Sequence, residues 1–207
     1  MATQDLSTTF QEFFQGEARD PLAPLAHLLR AIDLALEEDG PDLTSNALFA
    51  PEDQLQAEIV AKEEAVLAGL PLAEIILRHS QALVEPLFAT PLQWELTLLA
   101  SDGDTVQRGD IVAIITGSAA LLLKAERVIL NFLSHLSGIA TTTSRYVAAL
   151  NGVGSGKTRL LDTRKTLPGL RYPEKYAVLM GGGMNHRLNL TDMLMLKDNH
   201  IDQAGGI

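Results

Sequence analysis

Apolar residues recur at helical spacing over residues 21–39, where Leu22, Leu25, Leu28, Leu29, Ile32 and Leu36 form one stripe and Gly40-Pro41 supplies the stop. The spacing predicts an amphipathic helix whose stripe belongs to the core. Asp42-Leu43-Thr44 reads as the start of a loop. Ala57, Ile59 and Ala61 alternate with polar residues, the period of a half-buried strand, ahead of an apolar run over residues 66–70. Pro71 opens a short helix expected to end near His79, a solvated or core histidine rather than a ligand. Residues 94–99 and 111–115 are strand-like and joined through Asp102-Gly103 and Gly109-Asp110 turns. From Ser118 the period becomes helical. Residues 121–136 and 137–150 read as two helices or one bent one, because Ser137-Gly138 interrupts the run and Asn151-Gly152 closes it.

The last fifty residues change the pattern again. Residues 159–163 (RLLDT) and 192–197 (DMLMLK) are apolar runs too short for a helix, and are predicted as buried strands. Residues 173–180 have helical character, with Pro173 in the first turn and Gly181-Gly182-Gly183 as the stop. Strand, helix and strand within about 40 residues is the size of a βαβ unit. In such a unit the C-terminal ends of the strands face the crevice where α/β proteins bind ligands. Thr163, Arg164 and Lys165 end the first predicted strand, and Lys197, Asp198, Asn199 and His200 end the second. Asn185, His186 and Arg187 follow the triple glycine, which trades helix stability for backbone freedom or close approach.

Charge sharpens this picture. The 207 residues carry a net charge of -10, yet residues 157–197 hold eight of the sixteen Lys and Arg against only Asp162, Glu174 and Asp192. An acidic protein has gathered its cations in one place. Arg presents a planar fork that matches a carboxylate or phosphate, and Lys a compact point charge, so the mixture suits a ligand with several anionic groups. General nucleic-acid binding does not fit the acidic pI, and the cluster lacks interleaved aromatics.

Other classes are set aside by composition. There is no cysteine, which rules out disulfides and thiolate chemistry. Residues 1–20 lack a basic stretch followed by an apolar one, and no apolar run reaches the roughly 18 residues of a membrane span. A cytoplasmic protein is the default expectation. DGDTVQRGDIVAIITG is similar to the hairpins of biotinyl and lipoyl carrier domains, but no lysine lies between Lys62 and Lys124 to carry the group. NGVGSGKT imitates a phosphate-binding P-loop, but Asn151 replaces the first glycine and the loop follows a helix instead of a strand. It reads as a glycine-rich linker.

LDTRKTLPGLR, KYAVLMGGGMNHR and MLMLKDNHI, with the upstream AERVILNFLSHLSGIATTTSRYV, strongly resemble the quinolinate phosphoribosyltransferases, also called carboxylating nicotinate-nucleotide pyrophosphorylases. PDLTSNALF and AKEEAVLAGLPLAE resemble the same family's N-terminal domain, so the likeness runs along nearly the whole chain. It implies an α/β fold: an N-terminal α+β sandwich domain in residues 1–117, then a helical lead-in and the first two strands of an incomplete, TIM-like α/β barrel in residues 118–207. It also implies quinolinate and phosphoribosyl pyrophosphate as substrates, with Mg²⁺ accompanying the pyrophosphate. Arg164, Arg187 and Arg127 would clamp the ring carboxylates with His186 nearby, Lys165 and Lys197 would meet carboxylate or phosphate oxygens, and Thr163 would position Arg164.

From the residues alone, Arg127 beside Glu126 on a helix reads as a solvated face, and His186 reads equally as a hydrogen-bonding partner of the glycine turn. The resemblance sends Arg127 into a partner subunit's site, implying a homodimer. The ribose, metal and phosphate-loop residues of the family lie on later strands, so the sequence reads as a C-terminally truncated member whose open strand edge invites aggregation. A catalytically silent dicarboxylate-binding or dimerising remnant, or a related phosphoribosyltransferase with another acceptor, are the alternatives.

Overall fold

The computed structural model describes residues 22–50, 52–87, 91–153 and 157–206. Residues 1–20, and Gly154 to Gly156 of the linker, lie outside the described residues. The first helix, α1, spans Leu22–Asp39. Its stripe is core as expected, with Leu28, Ile32 and Leu36 fully buried. The ammonium of Lys124 closes its C-terminal end, donating to the carbonyls of Leu36 (2.9 Å) and Gly40 (2.6 Å). Asp42 does not open a loop. It caps a short helix, α2 (Leu43–Leu48), accepting from the Ser45 amide at 2.9 Å and the Ser45 hydroxyl at 2.5 Å. Those two bonds hold its carboxyl below the ordinary carboxylate range.

Three strands form one antiparallel sheet in the order β1, β5, β3: β1 is Gln54–Val60, β3 Trp94–Leu98 and β5 Ile111–Ser118. Ala57 pairs with Ile115, and Leu96 with the same Ile115 from the other side, so one buried isoleucine fixes both registers. Gly117 sits opposite Trp94, where a Cβ would lie 2.7 Å from the Trp94 Cβ. Two-residue strands β2 (Ala65–Val66) and β4 (Thr105–Val106) make a separate small pair. Helix α3, Leu72–Val84, continues past His79. Its buried face, Leu72, Ile75, Ile76 and Val84, is not spent at His79. His79 is no ligand candidate: its Nδ1 lies 2.6 Å from the Asp33 carboxylate of α1.

β5 passes directly into α4, a single uninterrupted helix of 35 residues, Ala119–Val153. Leu121, Ala125, Val128, Phe132, Leu136 and Ala140 recur at three- and four-residue steps along it, all buried. Ser137-Gly138 does not break the helix. The Ser137 hydroxyl bonds to the neighbouring loop, accepting from the Ala68 amide at 3.1 Å, and Thr141 Oγ1 likewise accepts from the Val66 amide at 2.8 Å. Ser137, which sequence reads as part of an interruption, and Thr141 are here acceptors for the Ala68 and Val66 amides, two buried donors that need partners.

The C-terminal part holds helix α5 (Arg171–Met180) and the short α6 (Asp198–Gln203). α5 packs on α4 and buries Tyr176 and Ala177 in the main core. Of the two strands predicted here, the first survives only as a single parallel bridge, Leu161 with Met184, and the second does not form. Residues 188–192 turn instead: the Asp192 carboxylate accepts from the Leu188 (2.6 Å) and Asn189 (3.2 Å) amides, and the Asn189 side chain accepts from Thr191 and Asp192. Side chains that bond the local backbone compete with a ladder, and an extended run without a paired neighbour gains nothing from its apolar residues. Leu194 is accordingly 96% exposed.

Tyr176 ties this part to the sheet side. Its hydroxyl donates to Asp102 Oδ2 at 2.8 Å, while the same carboxylate accepts from the Gly69 and Leu70 amides, each at 2.9 Å. Burial, reinforced by the Asp102 charge, pushes the phenol pKa well up, so it remains a donor through the physiological range. Replacing Tyr176 with Phe should cost about 1.5–3 kcal/mol, the value of a hydrogen bond to a charged group, read as a lower urea midpoint with unchanged slope.

Candidate functional site

The parallel bridge is the seed of the site. The Asp162 amide donates to the Met184 carbonyl (3.1 Å) and the Met184 amide to the Leu160 carbonyl (2.9 Å), so the two segments run side by side. Thr163-Arg164-Lys165 and Asn185-His186-Arg187 therefore leave from the same end. This is the juxtaposition expected from a parallel pair, reached with Met184 as the second segment in place of residues 192–197.

The triple glycine brings the second segment there, Gly181 and Gly183 through close approach and Gly182 through its backbone conformation. A Cβ on Gly181 would run into the Ala140 carbonyl and lie 2.6 Å from Thr143 Cβ, and one on Gly183 would meet Val178 Cγ1 at 2.7 Å and Thr143 Cγ2 at 3.0 Å. Gly182 has φ +82°, which side chains rarely adopt. The bulky neighbour is helix α4, not a ligand.

Past the bridge, the Asp162 carboxylate replaces the ladder. Its Oδ1 accepts from the His186 amide at 2.8 Å and from the ammonium of Lys175, and its Oδ2 accepts from the Asn185 amide nitrogen at 2.7 Å in the orientation that satisfies both groups. Lys175 Nζ also donates to the His186 carbonyl at 3.0 Å. Lys175 is 2% exposed, so one of the eight clustered cations is not presented to solvent. Neighbouring Glu174 accepts from the Leu167 amide and stands 3.0 Å from His135 Nε2 on α4, fixing the loop that follows Lys165.

The seven residues marked out by sequence are placed as follows. Thr163 Oγ1 accepts from the Lys165 amide at 3.0 Å, a local turn that shapes the backbone on both sides of Arg164. Arg164 is half-buried, and its Nε is sealed from solvent with no partner among the described residues. Lys165 is exposed. His186 Nδ1 accepts from the Arg187 amide at 2.8 Å, which puts the ring proton on Nε2 when the ring is neutral. Arg187 reaches across the next turn, Nη1 donating to the Met193 carbonyl at 2.9 Å. Lys197 is exposed at the start of α6, its amide donating to His200 Nδ1 at 3.0 Å. Arg127 is exposed on α4, beside a cleft of about 510 Å³ also lined by Lys62, Glu63, Glu64, Asn131 and Arg145. No hydrogen bond or ion pair among the described residues joins Arg127 or Lys197 to the Asp162 network.

Sequence reasoning passed over Asp162, Lys175 and the Glu174–His135 pair as parts of this network. The available signal was the local balance: two acids inside a cationic stretch call for cationic or amide partners. Among the described residues, no group of three or more His, Asp or Glu is placed to hold a metal ion.

The chain is also similar to known proteins. Residues 42–137 match the model of the quinolinate phosphoribosyl transferase N-terminal domain, and residues 139–207 that of its C-terminal domain. A chloroplastic nicotinate-nucleotide pyrophosphorylase (carboxylating) of Oryza sativa subsp. japonica is 43% identical over 199 residues, covering 93% of this chain and 50% of that protein. A probable nicotinate-nucleotide pyrophosphorylase (carboxylating) of Synechocystis is 48% identical over 152 residues, 73% of this chain and 47% of that one. Among solved structures, NadC from Streptococcus pyogenes superposes with a TM-score of 0.75 at 42% identity, covering 86% of this chain and 60% of its own. The nicotinate-nucleotide pyrophosphorylase from Francisella tularensis gives 0.76 at 36%, covering 88% and 60%. The chain thus spans about half the length of the curated relatives it matches. With both domain models in order along residues 42–207 and this fold shared with solved members, the chain belongs to the quinolinate phosphoribosyltransferase family.

Proposed function

We propose that this site serves phosphoribosyl transfer from phosphoribosyl pyrophosphate to quinolinate, giving nicotinate mononucleotide, pyrophosphate and CO₂ in NAD biosynthesis. The ring nitrogen attacks the anomeric carbon, and the bond to pyrophosphate breaks with its electron pair leaving on the pyrophosphate. The 2-carboxylate then departs as CO₂, and ring carbon 2 takes up a proton. Such chemistry asks the protein for positioning and charge stabilisation more than for a nucleophile of its own. The observation that carries the reading is Arg164: a guanidinium Nε shielded from water and without a partner among the described residues, on the segment that exits beside His186 and Arg187. A carboxylate bound at the half-buried guanidinium is the ligand this residue suits best. Lys165 and Lys197 are exposed cations for further carboxylate or phosphate oxygens, and Thr163 sets the turn around Arg164.

Mg²⁺ belongs to the same proposal as a counter-ion that would neutralise pyrophosphate charge; the described residues do not form a site for it. So does a homodimer in which Arg127 enters the partner's site, supported by its exposure at the rim of the α4 cleft. A cytoplasmic setting is the remaining part of the reading. Among the described residues no helix is long and apolar enough to cross a membrane, and because the rice relative is named chloroplastic and one from Nicotiana tabacum mitochondrial, cell fractionation is the measurement that decides it.

Pyrophosphate release from phosphoribosyl pyrophosphate, measured with Mg²⁺ and with or without quinolinate, tests the proposal. Quinolinate-dependent release is the expected result; release that ignores quinolinate overturns it.

A further inference from the structure

We propose that Lys175 and Asp162 are a positioning pair, buried behind the substrate cations, that fixes His186 and Arg187 relative to Arg164; the functional half of this statement rests on the quinolinate reading above. Lys175 counts among the cluster's cations in the sequence, yet it is 2% exposed, and its partner's side chain is 7% exposed. Neither group has surface to offer a ligand.

What they do instead follows from their bonds. Lys175 Nζ holds Asp162 Oδ1 and the His186 carbonyl at once, and the His186 amide returns to the same Oδ1. Three groups close one ring of hydrogen bonds around a single residue of the ligand-facing turn. Asn185 adds a fourth strut, its amide nitrogen bonding Asp162 Oδ2 and the Lys175 carbonyl at 3.0 Å. Asp162 stands two residues before Arg164, and Lys175 stands on α5, which is packed against α4. The ring therefore ties the strand end that bears Arg164, the turn that bears His186 and Arg187, and the helical scaffold. A parallel ladder would normally set this relation, but the ladder here stops at one bridge. The ion pair carries on where the ladder stops. A mispositioned cation is costly to a ligand recognised by several anionic groups, because each contact depends on the spacing of the others.

The test compares Lys175→Met with the double variant Lys175→Met/Asp162→Asn on the 207-residue chain. The single variant strands a buried carboxylate and is expected to lose stability; the double variant removes both charges while keeping an acceptor for the His186 amide. Two quantities are read on the double variant: hydrogen exchange of the His186 backbone amide, and quinolinate affinity by titration calorimetry. Exchange at His186 at least tenfold faster, at a melting temperature near that of the parent, together with affinity weakened at least tenfold, is the expected result. Parent-like exchange at His186 overturns the proposal whatever the affinity. If the parent itself does not bind quinolinate, the substrate reading fails, and faster His186 exchange still supports the positioning pair. Arg164→Ala serves as the reference: it should lose quinolinate with His186 exchange unchanged.

Discussion

Arg164→Ala should weaken quinolinate binding by two to three orders of magnitude while leaving the fold intact. Its guanidinium Nε is sealed from water with no partner among the described residues, so the ligand-free protein already bears the cost of a desolvated donor, about 1–3 kcal/mol. A carboxylate docking on the half-buried guanidinium gains a charge-assisted bond to a group that is already partly desolvated. Truncating one partner of such a buried charged contact costs about 2–5 kcal/mol, which sets the expected loss. Arg164→Lys should recover little, because an ammonium does not reproduce the planar fork. Calorimetric titration with quinolinate and with the monocarboxylate nicotinate checks both the size and the cause. A much larger loss for the dicarboxylate supports the clamp, and an equal loss for both would point to a phosphoribosyltransferase with another acceptor.

The second large effect lies in the core. Leu136 is fully buried on α4, against the 69–72 loop, where even a methyl group on Gly69 would come within 2.9 Å of its Cδ1. Leu136→Ala should cost about 2–5 kcal/mol, a transfer term plus the cavity left because the helix and the loop are held by other bonds and cannot close in. Those bonds are the Ser137 and Thr141 hydroxyls on the Ala68 and Val66 amides. The urea midpoint should fall by roughly 1–2.5 M for a slope of about 2 kcal/mol per molar. A drop under 0.5 kcal/mol, on the order of a surface substitution, would mean the loop collapses onto the gap.

Much of this was legible in the residues. The stripe of α1, the alternation in β1, the turns of the sheet and the cationic cluster are local patterns, and local patterns survive folding when nothing stronger competes. The placing of Arg164 near His186 and Arg187 was visible for the same reason, as charge at the ends of two neighbouring segments. The failures are non-local. Residues 192–197 carry the composition of a strand, but a strand is a relation between two segments, and Asp192 and Asn189 spend their side chains on a turn first. Ser137-Gly138 reads as a break because sequence cannot show that the Ser137 hydroxyl is engaged by a backbone 69 residues earlier. Lys175 looks like any other cation of the cluster until burial distinguishes it.

The unbroken α4 has a consequence for how this chain tolerates shuffling. At 35 residues it is about 50 Å long, and the two family domain models meet at residues 137–139, midway along it. Upstream turns of the helix supply Leu121, Ala125 and Val128 to the shared core; downstream turns supply the Ala140 and Thr143 surface against which the glycine turn is moulded. A graft from a relative spliced at the family boundary would cut a continuous hydrogen-bonded rod and mismatch two packed faces at once. Junctions placed at Ser118, before the rod begins, leave it whole, so hybrid enzymes in this family should be assembled around the helix instead of through it.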